Sequence, residues 1–454
     1  MADDTPIGAR ADWLALVQKT LKDKSVESLT KRTADGLTIA PLYTYEDTPT
    51  AAHLSFGPRD ADRAWDLRTL TAHPSPEAAN SELLTDLDGG AASAIVRIDP
   101  SGRDGVAIGS AEGLARTLDG VILELAPVGI DAGFLGVQAA DWLADAGKSS
   151  PTALLMFHLD PLSAFAEAGL SPGPIEAHLI ASANAGARLA ETYPKASLFL
   201  ASARVVHEAG GTAADELGFM AAGALAYAKA LVRAGLGMDE AFARITLGLS
   251  TDAQYFRTIA KLRAARIIWA RITEACGVTA PARIEARSSR RMLAAEDVWT
   301  NMLRLTIAGF GAATGGADAV VLGAFTDALG LPTPFGRRQS RNIQLVLMEE
   351  AHVGAVADPG RGAWFIEALT DQLAHAGWAS FQAIEAAGGA IRTLEAGKVA
   401  ADRTTEAAQV GVTVFPNPND APPAVEIADP ADFAVEAPSP TLPGPDSRCP
   451  KVAQ

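Results

Sequence analysis

The amino-acid sequence predicts an α/β protein whose main domain is a closed (β/α)8 barrel of the TIM type. Short apolar or β-branched runs alternate with longer helix-like segments from about residue 90 onward, which is typical of a parallel sheet covered by helices. Eight runs are predicted to be strands, at residues 94–98, 121–125, 153–157, 197–201, 245–249, 283–286, 319–322 and 354–356. An open doubly wound sheet is the alternative, but no G-x-G-x-x-G motif follows the first run.

The segment at residues 252–269 is the clearest helix of the chain. It contains no Gly or Pro, is rich in Ala, Leu and Arg, and carries apolar residues on more than one face. This pattern predicts a helix that is buried on two sides. Helices are also predicted at residues 111–117, 136–145, 173–193, 214–234, 296–313, 337–352 and 363–387, and the helix at 252–269 is expected to extend to residue 275.

The sequence divides into three parts. Residues 1–65 are predicted to form an N-terminal arm, residues 66–390 the barrel, and residues 391–454 a C-terminal helix (391–412) and a disordered or surface-draped tail rich in Pro, Asp and Ala. A helix predicted at residues 11–31 of the arm carries one apolar stripe. The residues of this stripe are Trp13, Leu14, Val17 and Leu21. The arm is long enough to lie across a neighbouring subunit, although packing on its own domain is an equally good interpretation.

Composition and charge limit the classes of function. The formal net charge of −16 repels phosphate backbones, which argues against nucleic-acid binding. The only two cysteines, Cys276 and Cys449, cannot build a disulfide framework or a thiolate metal site. The acidic N-terminus lacks the apolar region of a signal peptide, and no apolar run is long enough to span a bilayer. We therefore expect a cytoplasmic protein that does not bind membranes.

Two histidines lie close behind predicted strands and beside carboxylates. His158 precedes Asp160, and His207 precedes Glu208, so both histidines are expected at the C-terminal rim, where barrel enzymes keep their active sites. Such a histidine could act as an acid or a base. It could also make a structural hydrogen bond, because no nucleophile or metal partner shares the spacing. The motifs H-E-x-x-H and G-x-S-x-G and the P-loop are absent.

Two basic clusters stand out on so acidic a chain. The first follows the sixth predicted strand and comprises Arg287, Ser288, Ser289, Arg290 and Arg291. The second begins the helix after the seventh strand and comprises Arg337, Arg338 and Arg341. These clusters could grip phosphates or a carboxylate. Equally, they could pair with some of the 54 acidic side chains, and both alternatives stay open at this point.

Several stretches resemble, in the same order, segments of the methylmalonyl-CoA mutase family. The most specific is F-R-T-I-A-K-L-R-A-A-R-I-I-W at 256–269. The others are T-A-D-G-L-T-I-A-P-L-Y at 33–43, P-E-A-A-N-S-E-L-L-T-D-L-D-G-G at 76–90, H-E-A-G-G-T-A-A-D-E-L-G-F at 207–219, N-M-L-R-L-T at 301–306, G-L-P-T at 330–333, R-N-I-Q-L-V-L-M-E-E at 341–350 and V-A-D-P-G-R-G-A-W-F-I-E-A-L-T at 356–370. The resemblance implies a coenzyme-B12-dependent acyl-CoA mutase barrel in which CoA threads the barrel axis.

The sequence departs from the family's catalytic chains where those chains carry polar groups that act on the substrate. The tyrosine of their R-Q-Y-A-G-F aligns with Leu70, and the substrate-carbonyl histidine of their G-Y-H-M-Q-E-A-G aligns with Val205. Their T-Q-S-L-H-T-N becomes A-D-A-V-V-L-G at 317–323, which places Val321 at the histidine, and a G-T-I-Q-N-D-type stretch is not found. Because these groups orient the substrate and its radical, the resemblance implies no catalytic residue in this chain.

The family ligates cobalt through D-x-H-x-x-G, which does not occur in this sequence. We therefore expect no B12-binding domain after residue 412, no cofactor or metal ligand in this chain, and adenosylcobalamin in a partner. The chain resembles the small (beta) subunit of a heterodimeric mutase, an isomerase whose alpha subunit is catalytic. The alternative is the active barrel of a split mutase that receives cobalamin from a separate small chain, and Leu70, Val205 and Val321 count against it. An unrelated barrel lyase is a weaker third hypothesis, because the motif order counts against it.

Overall fold

The computed structural model describes residues 10–47, 49, 63–397 and 408–438. Eight parallel strands form a closed barrel in which each strand pairs with its neighbours in the sequence, and the last strand pairs with the first. They are β1 (Asp66–Thr71), β2 (Ser93–Arg97), β3 (Val128–Asp131), β4 (Met156–Leu159), β5 (Ser197–Ser202), β6 (Ile245–Thr251), β7 (Ile284–Ser288) and β8 (Ala319–Val321). The predicted (β/α)8 barrel is confirmed, and the open sheet is excluded.

Three strand predictions need correction. The run at 121–125 leads into a turn with Leu125 exposed, and the strand follows it as β3. The run at 354–356 is not a strand, because Val353–Ala355 is a 3-10 turn and the ring is already closed by β8. β1 was missed because four of the six residues in its sequence, D-L-R-T-L-T, are polar, so it does not resemble the apolar run of a buried parallel strand.

The helices cover the outside of the barrel. Their bounds are Pro76–Asp88, Ala111–Thr117, Gly136–Ala146, Pro161–Ala168, Ile175–Thr192, Arg204–Glu208, Ala213–Arg233, Met238–Ala243, Tyr255–Ala275, Asn301–Thr314, Pro334–Leu345, Trp364–Ala386 and Gly389–Glu395. Local capping sets several of their starts: the side chains of Ser75, Ser110, Asp160, Thr212 and Thr333 each accept a hydrogen bond from a backbone N–H of the first turn. The predicted helix at 337–352 continues past Leu345 only as a π-helical turn to Glu350.

Helix Trp364–Ala386 forms an additional layer over two barrel helices, Ala213–Arg233 and Tyr255–Ala275. Close packing is possible because Gly377 faces Leu217, where an added Cβ would lie 2.7 Å from the Leu217 Cβ. The helix that carries the family motif is therefore buried on both sides, as its sequence predicts, and both surfaces that bury it belong to this chain.

The N-terminal arm is only partly packed on the barrel. Its helix spans Arg10–Leu21 and ends well before the predicted residue 31. None of its residues is buried. A two-stranded ribbon, Lys31–Arg32 with Thr38–Ile39, follows. Asp35, in the turn of this ribbon, accepts a hydrogen bond from the Ala214 N–H of the barrel at 2.8 Å. The arm is therefore attached to the barrel through the ribbon that follows its helix.

Residues 408–438, which we call the rim segment, lie across the C-terminal rim of the barrel. This agrees with the prediction of a tail that is draped over the surface. Leu331 and Glu426 form an antiparallel bridge, the Trp299 indole donates to the Ala421 carbonyl at 3.0 Å, and the Val435 N–H donates to the Pro100 carbonyl at 2.8 Å. The predicted helix at 391–412 is observed only as Gly389–Glu395, since 398–407 and 439–454 lie outside the described residues and 408–412 is not helical. Within the described ranges, every helix is too short or too polar to cross a lipid bilayer.

Candidate functional site

The barrel encloses a cavity of about 770 Å³ at the C-terminal ends of its strands. All strands except β6 contribute to its walls. Residues 426–428 and Pro430 of the rim segment border it as well. This is the end of the fold at which barrel enzymes bind substrates, and a cavity of this size is typical of small-molecule sites.

The structure brings the three apolar positions singled out in the sequence together in this cavity. Leu70 comes from β1, Val205 from helix Arg204–Glu208 and Val321 from β8, and all three line the wall. None of these side chains can donate or accept a hydrogen bond. The cavity therefore lacks polar groups at the positions where the family's catalytic chains carry them.

A layer of buried and half-buried ion pairs crosses the barrel axis. Arg287 on β7 donates to Asp131 on β3 at 2.9 Å, and these two strands lie on opposite sides of the eight-stranded ring. Glu285, which is fully buried, accepts from Arg287 at 2.8 Å and from Arg68 at 2.6 Å. Arg68 also pairs with Asp66 at 2.6 Å. We call these five residues the axial ion-pair layer.

Two carboxylates of the axial ion-pair layer, Asp131 and Glu285, are held in the charged form. Burial raises the pKa of Asp131, but Arg97, Arg287 and Arg204 outweigh burial and hold that pKa well below its ordinary value. Burial acts on Glu285 in the same way, and Arg287 and Arg68 again reverse its effect on the pKa. Asp131 and Glu285 are thus ionised at neutral pH.

His158 lines the cavity and has no hydrogen-bond partner on either ring nitrogen. It lies within β4 rather than after a strand, has a φ of 43°, and coincides with a shift in the pairing register between β4 and β5. Burial lowers its pKa to about 4. Asp160 is not its partner, because that carboxylate accepts from the Tyr227 hydroxyl and from the Ser202 N–H. The histidine–carboxylate pair suggested by the sequence does not form.

Asp160 and Asp327 are two cavity carboxyl groups whose pKa values are raised. Burial raises the pKa of Asp160 to about 7, against the hydrogen bond that it accepts from Tyr227. Burial also raises the pKa of Asp327 to about 6, although Arg290 opposes this shift. Neither group is placed beside the ring nitrogens of His158 by a hydrogen bond.

His207 does not line the cavity. It is buried in helix Arg204–Glu208, with Nε2 2.8 Å from the Ser289 hydroxyl and Nδ1 3.9 Å from Glu216. Its neighbour Glu208 accepts instead from the backbone N–H groups of Arg290 and Arg291, each at 3.0 Å. The expectation that both histidines reach one site at the rim is therefore wrong for His207, because its helix turns the ring towards the loop after β7.

The two basic clusters are mostly ion-paired. Arg290 pairs with Asp104 at 3.1 Å, and Arg291 donates to the His207 carbonyl at 2.6 Å. In the second cluster, Arg337 pairs with Asp86 and with Glu82, and Arg341 pairs with Asp86. Arg338 lies over the ring of Phe335, 5.9 Å from its centroid. The ion-paired alternative accounts for these clusters better than phosphate binding does.

The basic residues of helix Tyr255–Ala275 connect it to several other parts of the chain. Lys261 pairs with Glu216 at 2.5 Å and donates to the Ser250 hydroxyl at 2.9 Å. The remaining contacts are Arg263 to Asp358 and Glu367, and Arg266 to Asp318 and the Ala282 carbonyl. Of these partners, Glu216, Asp358 and Glu367 lie in other stretches that carry the family resemblance. Through these contacts the motif holds its helix against the rest of the chain.

Sequence reasoning missed the charged residues of the barrel interior. Asp66, Arg68, Arg97, Asp131 and Glu285 all lie on strands. The available signal was a charge inside an otherwise apolar run, since a buried parallel strand rarely contains one without a partner. Arg97 in the run at 94–98 and Glu285 in the run at 283–286 were such signals.

The residues around the mouth of the cavity do not fit adenosylcobalamin. A cobalt ligand needs an available imidazole nitrogen, but the His73 ring is 7% exposed, accepts from the Ser75 N–H and faces Glu426 at 3.2 Å. His158 and His207 are buried, and residues 426–428 and Pro430 border the mouth. In the part of the chain that the structure describes, no group of three or more His, Cys, Asp or Glu residues could hold a metal ion.

Comparison with known proteins agrees with the fold and the motifs. The model of the methylmalonyl-CoA mutase family matches residues 33–414. The methylmalonyl-CoA mutase small subunit of Streptomyces virginiae is 38% identical over 422 residues, which cover 88% of this chain and 67% of that protein. The small subunit of Propionibacterium freudenreichii subsp. shermanii is 33% identical, with coverages of 86% and 64%. The methylmalonyl-CoA mutase of Escherichia coli is 27% identical, with coverages of 85% and 59%. This chain therefore belongs to the methylmalonyl-CoA mutase family.

Proposed function

We propose that this chain is the small (beta) subunit of a methylmalonyl-CoA mutase. In this role it supports a catalytic alpha subunit in the adenosylcobalamin-dependent interconversion of methylmalonyl-CoA and succinyl-CoA, and it is not itself catalytic. The names of the small-subunit relatives, which are 33–38% identical to this chain, favour this role. The observation that carries the proposal is the axial ion-pair layer.

The axial ion-pair layer occupies the path that the family resemblance implies for CoA. A pantetheine chain on the barrel axis has to pass between Arg287 and Asp131, which are paired at 2.9 Å. Breaking a buried ion pair without replacing one partner costs about 3–5 kcal/mol. The apolar side chains of Leu70, Val205 and Val321 offer a thioester no hydrogen bond in return.

We infer that adenosylcobalamin is held by the catalytic partner. His73 at the mouth is buried and hydrogen-bonded, which supports this inference, and no catalytic step is assigned to residues of this chain. The contribution of this subunit is then binding to the partner and stabilising it.

The helix of the N-terminal arm is the best candidate for the contact with the partner. Leu14 and Leu16 are 37% and 66% exposed, and Trp13, Val17 and Leu21 are only half-buried. An isolated helix of twelve residues is marginal in water, so its apolar stripe needs a covering surface. Such a stripe with a tryptophan is typical of an interface hot spot.

Activity measurements with and without the partner test the proposal. The purified chain, mixed with adenosylcobalamin and methylmalonyl-CoA, is expected to show no turnover and no cobalamin absorption after gel filtration. Co-expressed with the alpha subunit, it is expected to elute as one active complex. Turnover by the chain alone, or by the chain with only a small cobalamin-carrying protein, would instead establish the active split-mutase alternative.

A further inference from the structure

We propose that the barrel cavity of this chain binds a small carboxylate anion, held by the guanidinium groups of Arg204 and Arg287 and by the ring of His158. All three residues line the cavity. This site goes beyond the proposed function, because a subunit that only supports its partner needs no ligand of its own.

The first observation is a set of buried polar atoms without partners. Nδ1 and Nε2 of His158 and Nη2 of Arg287 are all buried and make no hydrogen bond within the described residues. The two residues are only 4% exposed each. An unsatisfied buried polar group costs about 1–3 kcal/mol, and such groups are rare in folded proteins. A carboxylate in the cavity would accept from Nη2 of Arg287 and from the one ring nitrogen of neutral His158 that carries a proton.

The second observation is that the guanidinium group of Arg204 has a single, long ion pair in the cavity among the residues described by the structure. Asp131 is shared by three guanidinium groups, those of Arg287 at 2.9 Å, Arg204 at 3.7 Å and Arg97 at 4.0 Å. Arg97 also pairs with Asp104 and Glu167, and Arg287 with Glu285. For Arg204, Asp131 at 3.7 Å is the one ion pair found within the described residues. Burial and the charge of Arg287 lower the pKa of Arg204 to about 10, which is the direction expected for an underpaired cation.

The third observation concerns the backbone at His158. A non-glycine residue at a φ of 43° is strained, and strain of this kind is typically retained where it aims a side chain at a ligand. The register shift between β4 and β5 falls at the same place, and such irregularities commonly redirect a side chain near a binding site.

The side chains that line the cavity favour an organic carboxylate over other anions. A planar guanidinium group binds a carboxylate through two parallel hydrogen bonds. Leu70, Leu200 and Val321 line the same cavity and suit a short apolar body. His158 is neutral at physiological pH, since its pKa is about 4, and Asp131 stays charged nearby, so one additional negative charge is favoured over two. The axial ion-pair layer leaves no path for a long CoA chain, so the ligand is a free acid.

Calorimetric titration of the full-length chain tests the proposal. Butanoate is the carboxylate probe, with inorganic phosphate and coenzyme A as comparisons at constant ionic strength. We expect saturable binding of one butanoate per chain and a rise in the melting temperature. Phosphate is expected to bind at least tenfold more weakly, and coenzyme A not measurably. The proposal is overturned if butanoate does not bind saturably, or if phosphate or coenzyme A binds more tightly.

Two variants locate the site, and a third serves as the control. Arg204→Gln is expected to weaken butanoate binding tenfold or more, the usual effect of losing a charge-assisted hydrogen bond. His158→Leu removes both ring nitrogens and is expected to have a similar effect. Arg188→Gln is the matched control, because Arg188 is exposed and pairs with Asp141 on the outside of the barrel. Melting curves of the free variants establish that each is folded. Unchanged affinity in both cavity variants would exclude this site.

Discussion

Lys261 shows how the family motif acts at the scale of a single residue. Its ammonium group is buried and lies 2.5 Å from Glu216, which is also fully buried. Glu216 additionally accepts from the N–H and the hydroxyl of Ser250. A charge in this position is stable only with its partner present, so the identity of the residue is fixed by Glu216 and not by a substrate.

Replacing Lys261 with Met is expected to lower the free energy of unfolding by about 3–5 kcal/mol, because Glu216 would be left buried without a counterion. Urea denaturation measures the loss. Lys229→Met is the matched control, since Lys229 pairs with Glu385 at the surface, and the expected change there is about 1 kcal/mol or less. Equal effects of the two substitutions would mean that the buried pair makes no special contribution.

His207 is the second residue whose role can be separated from catalysis. Its hydrogen bond to Ser289 and its absence from the cavity wall predict a structural function. His207→Gln should therefore leave the turnover of the assembled complex within about threefold, whereas loss of a general acid or base costs roughly 10²–10⁴-fold. The steady-state rate of the complex is the measurement, and gel filtration shows whether the complex is intact. A hundredfold loss in an intact complex would assign chemistry to this barrel.

The N-terminal arm illustrates the element scale, because its helix and its ribbon have different environments. The helix Arg10–Leu21 has no buried residue, whereas the segment behind it is fixed by Asp35 and by the ring of Tyr43, 5.1 Å from Phe365. The anchoring contacts lie outside residues 1–30. Removing the helix should therefore leave the barrel folded.

Deleting residues 1–30 is expected to leave the melting temperature within a few degrees of the full chain and to abolish co-purification with the alpha subunit. A pull-down from a co-expressing strain measures the second effect. Lys19→Ala, a substitution of a charged residue in the same helix, is the control and should still co-purify. Retention of the partner by the truncated chain would move the interface elsewhere, for example to the exposed Leu303 and Ile307 of helix Asn301–Thr314.

The rim segment is an element whose path was not evident from its composition. Its Pro, Asp and Ala content cannot form a core of its own, yet it is fixed by hydrogen bonds to the loops after β1, β2, β7 and β8. Gly330 allows this approach, since a Cβ there would lie 2.8 Å from the Glu426 carbonyl oxygen. The segment depends on the barrel for its structure.

For the whole molecule, the buried ionisable groups predict how stability depends on pH. His158 has a pKa of about 4 in the folded chain and of about 6.5 in the unfolded chain. Between these values only the unfolded chain takes up the proton, so this residue destabilises the fold as the pH falls from 6.5 to 4. Asp160 and Asp327 act in the opposite direction, because their raised pKa values favour the folded chain as the pH falls.

The difference between the wild type and His158→Gln isolates this contribution. The wild type is expected to lose about 3 kcal/mol relative to the variant between pH 7 and pH 4, from a shift of roughly 2.5 pKa units at about 1.4 kcal/mol each. Denaturation curves at several pH values give the measurement. His375→Gln is the control, since His375 is exposed on helix Trp364–Ala386. A pH-independent difference between wild type and His158→Gln would contradict the pKa given for His158.

Below pH 4, the axial ion-pair layer is expected to dominate the stability. Asp131 and Glu285 have lowered pKa values in the folded chain. Their ionised forms therefore stabilise the fold fully above the ordinary carboxyl pKa. This stabilisation is lost as the pH falls towards their lowered pKa values, where the folded chain takes up the protons. The acid limb of the same curves should therefore be steep. This limb is shared by wild type and His158→Gln.

The sequence by itself determined the elements whose periodicity reflects burial on one face or two. The helix predicted at 111–117 is observed at Ala111–Thr117, and the helix predicted at 363–387 is observed at Trp364–Ala386. The strands β5 and β6 coincide with predicted apolar runs because both faces of a parallel strand are covered. The positions Leu70, Val205 and Val321 were also identified from the sequence, through the resemblance to the family.

Only the tertiary structure decided what fills the barrel. β1 does not look like a buried strand until Glu285 from β7 is placed beside Arg68, because an inward-facing charge is tolerated only with a partner from a distant part of the chain. The separation of His158 from Asp160, and of His207 from the cavity, depends on local backbone turns that sequence spacing does not specify. The hydrophobic periodicity of a sequence shows which side of an element is buried. The pairing of charges across the barrel axis depends on residues from distant strands, which come together only when the barrel closes.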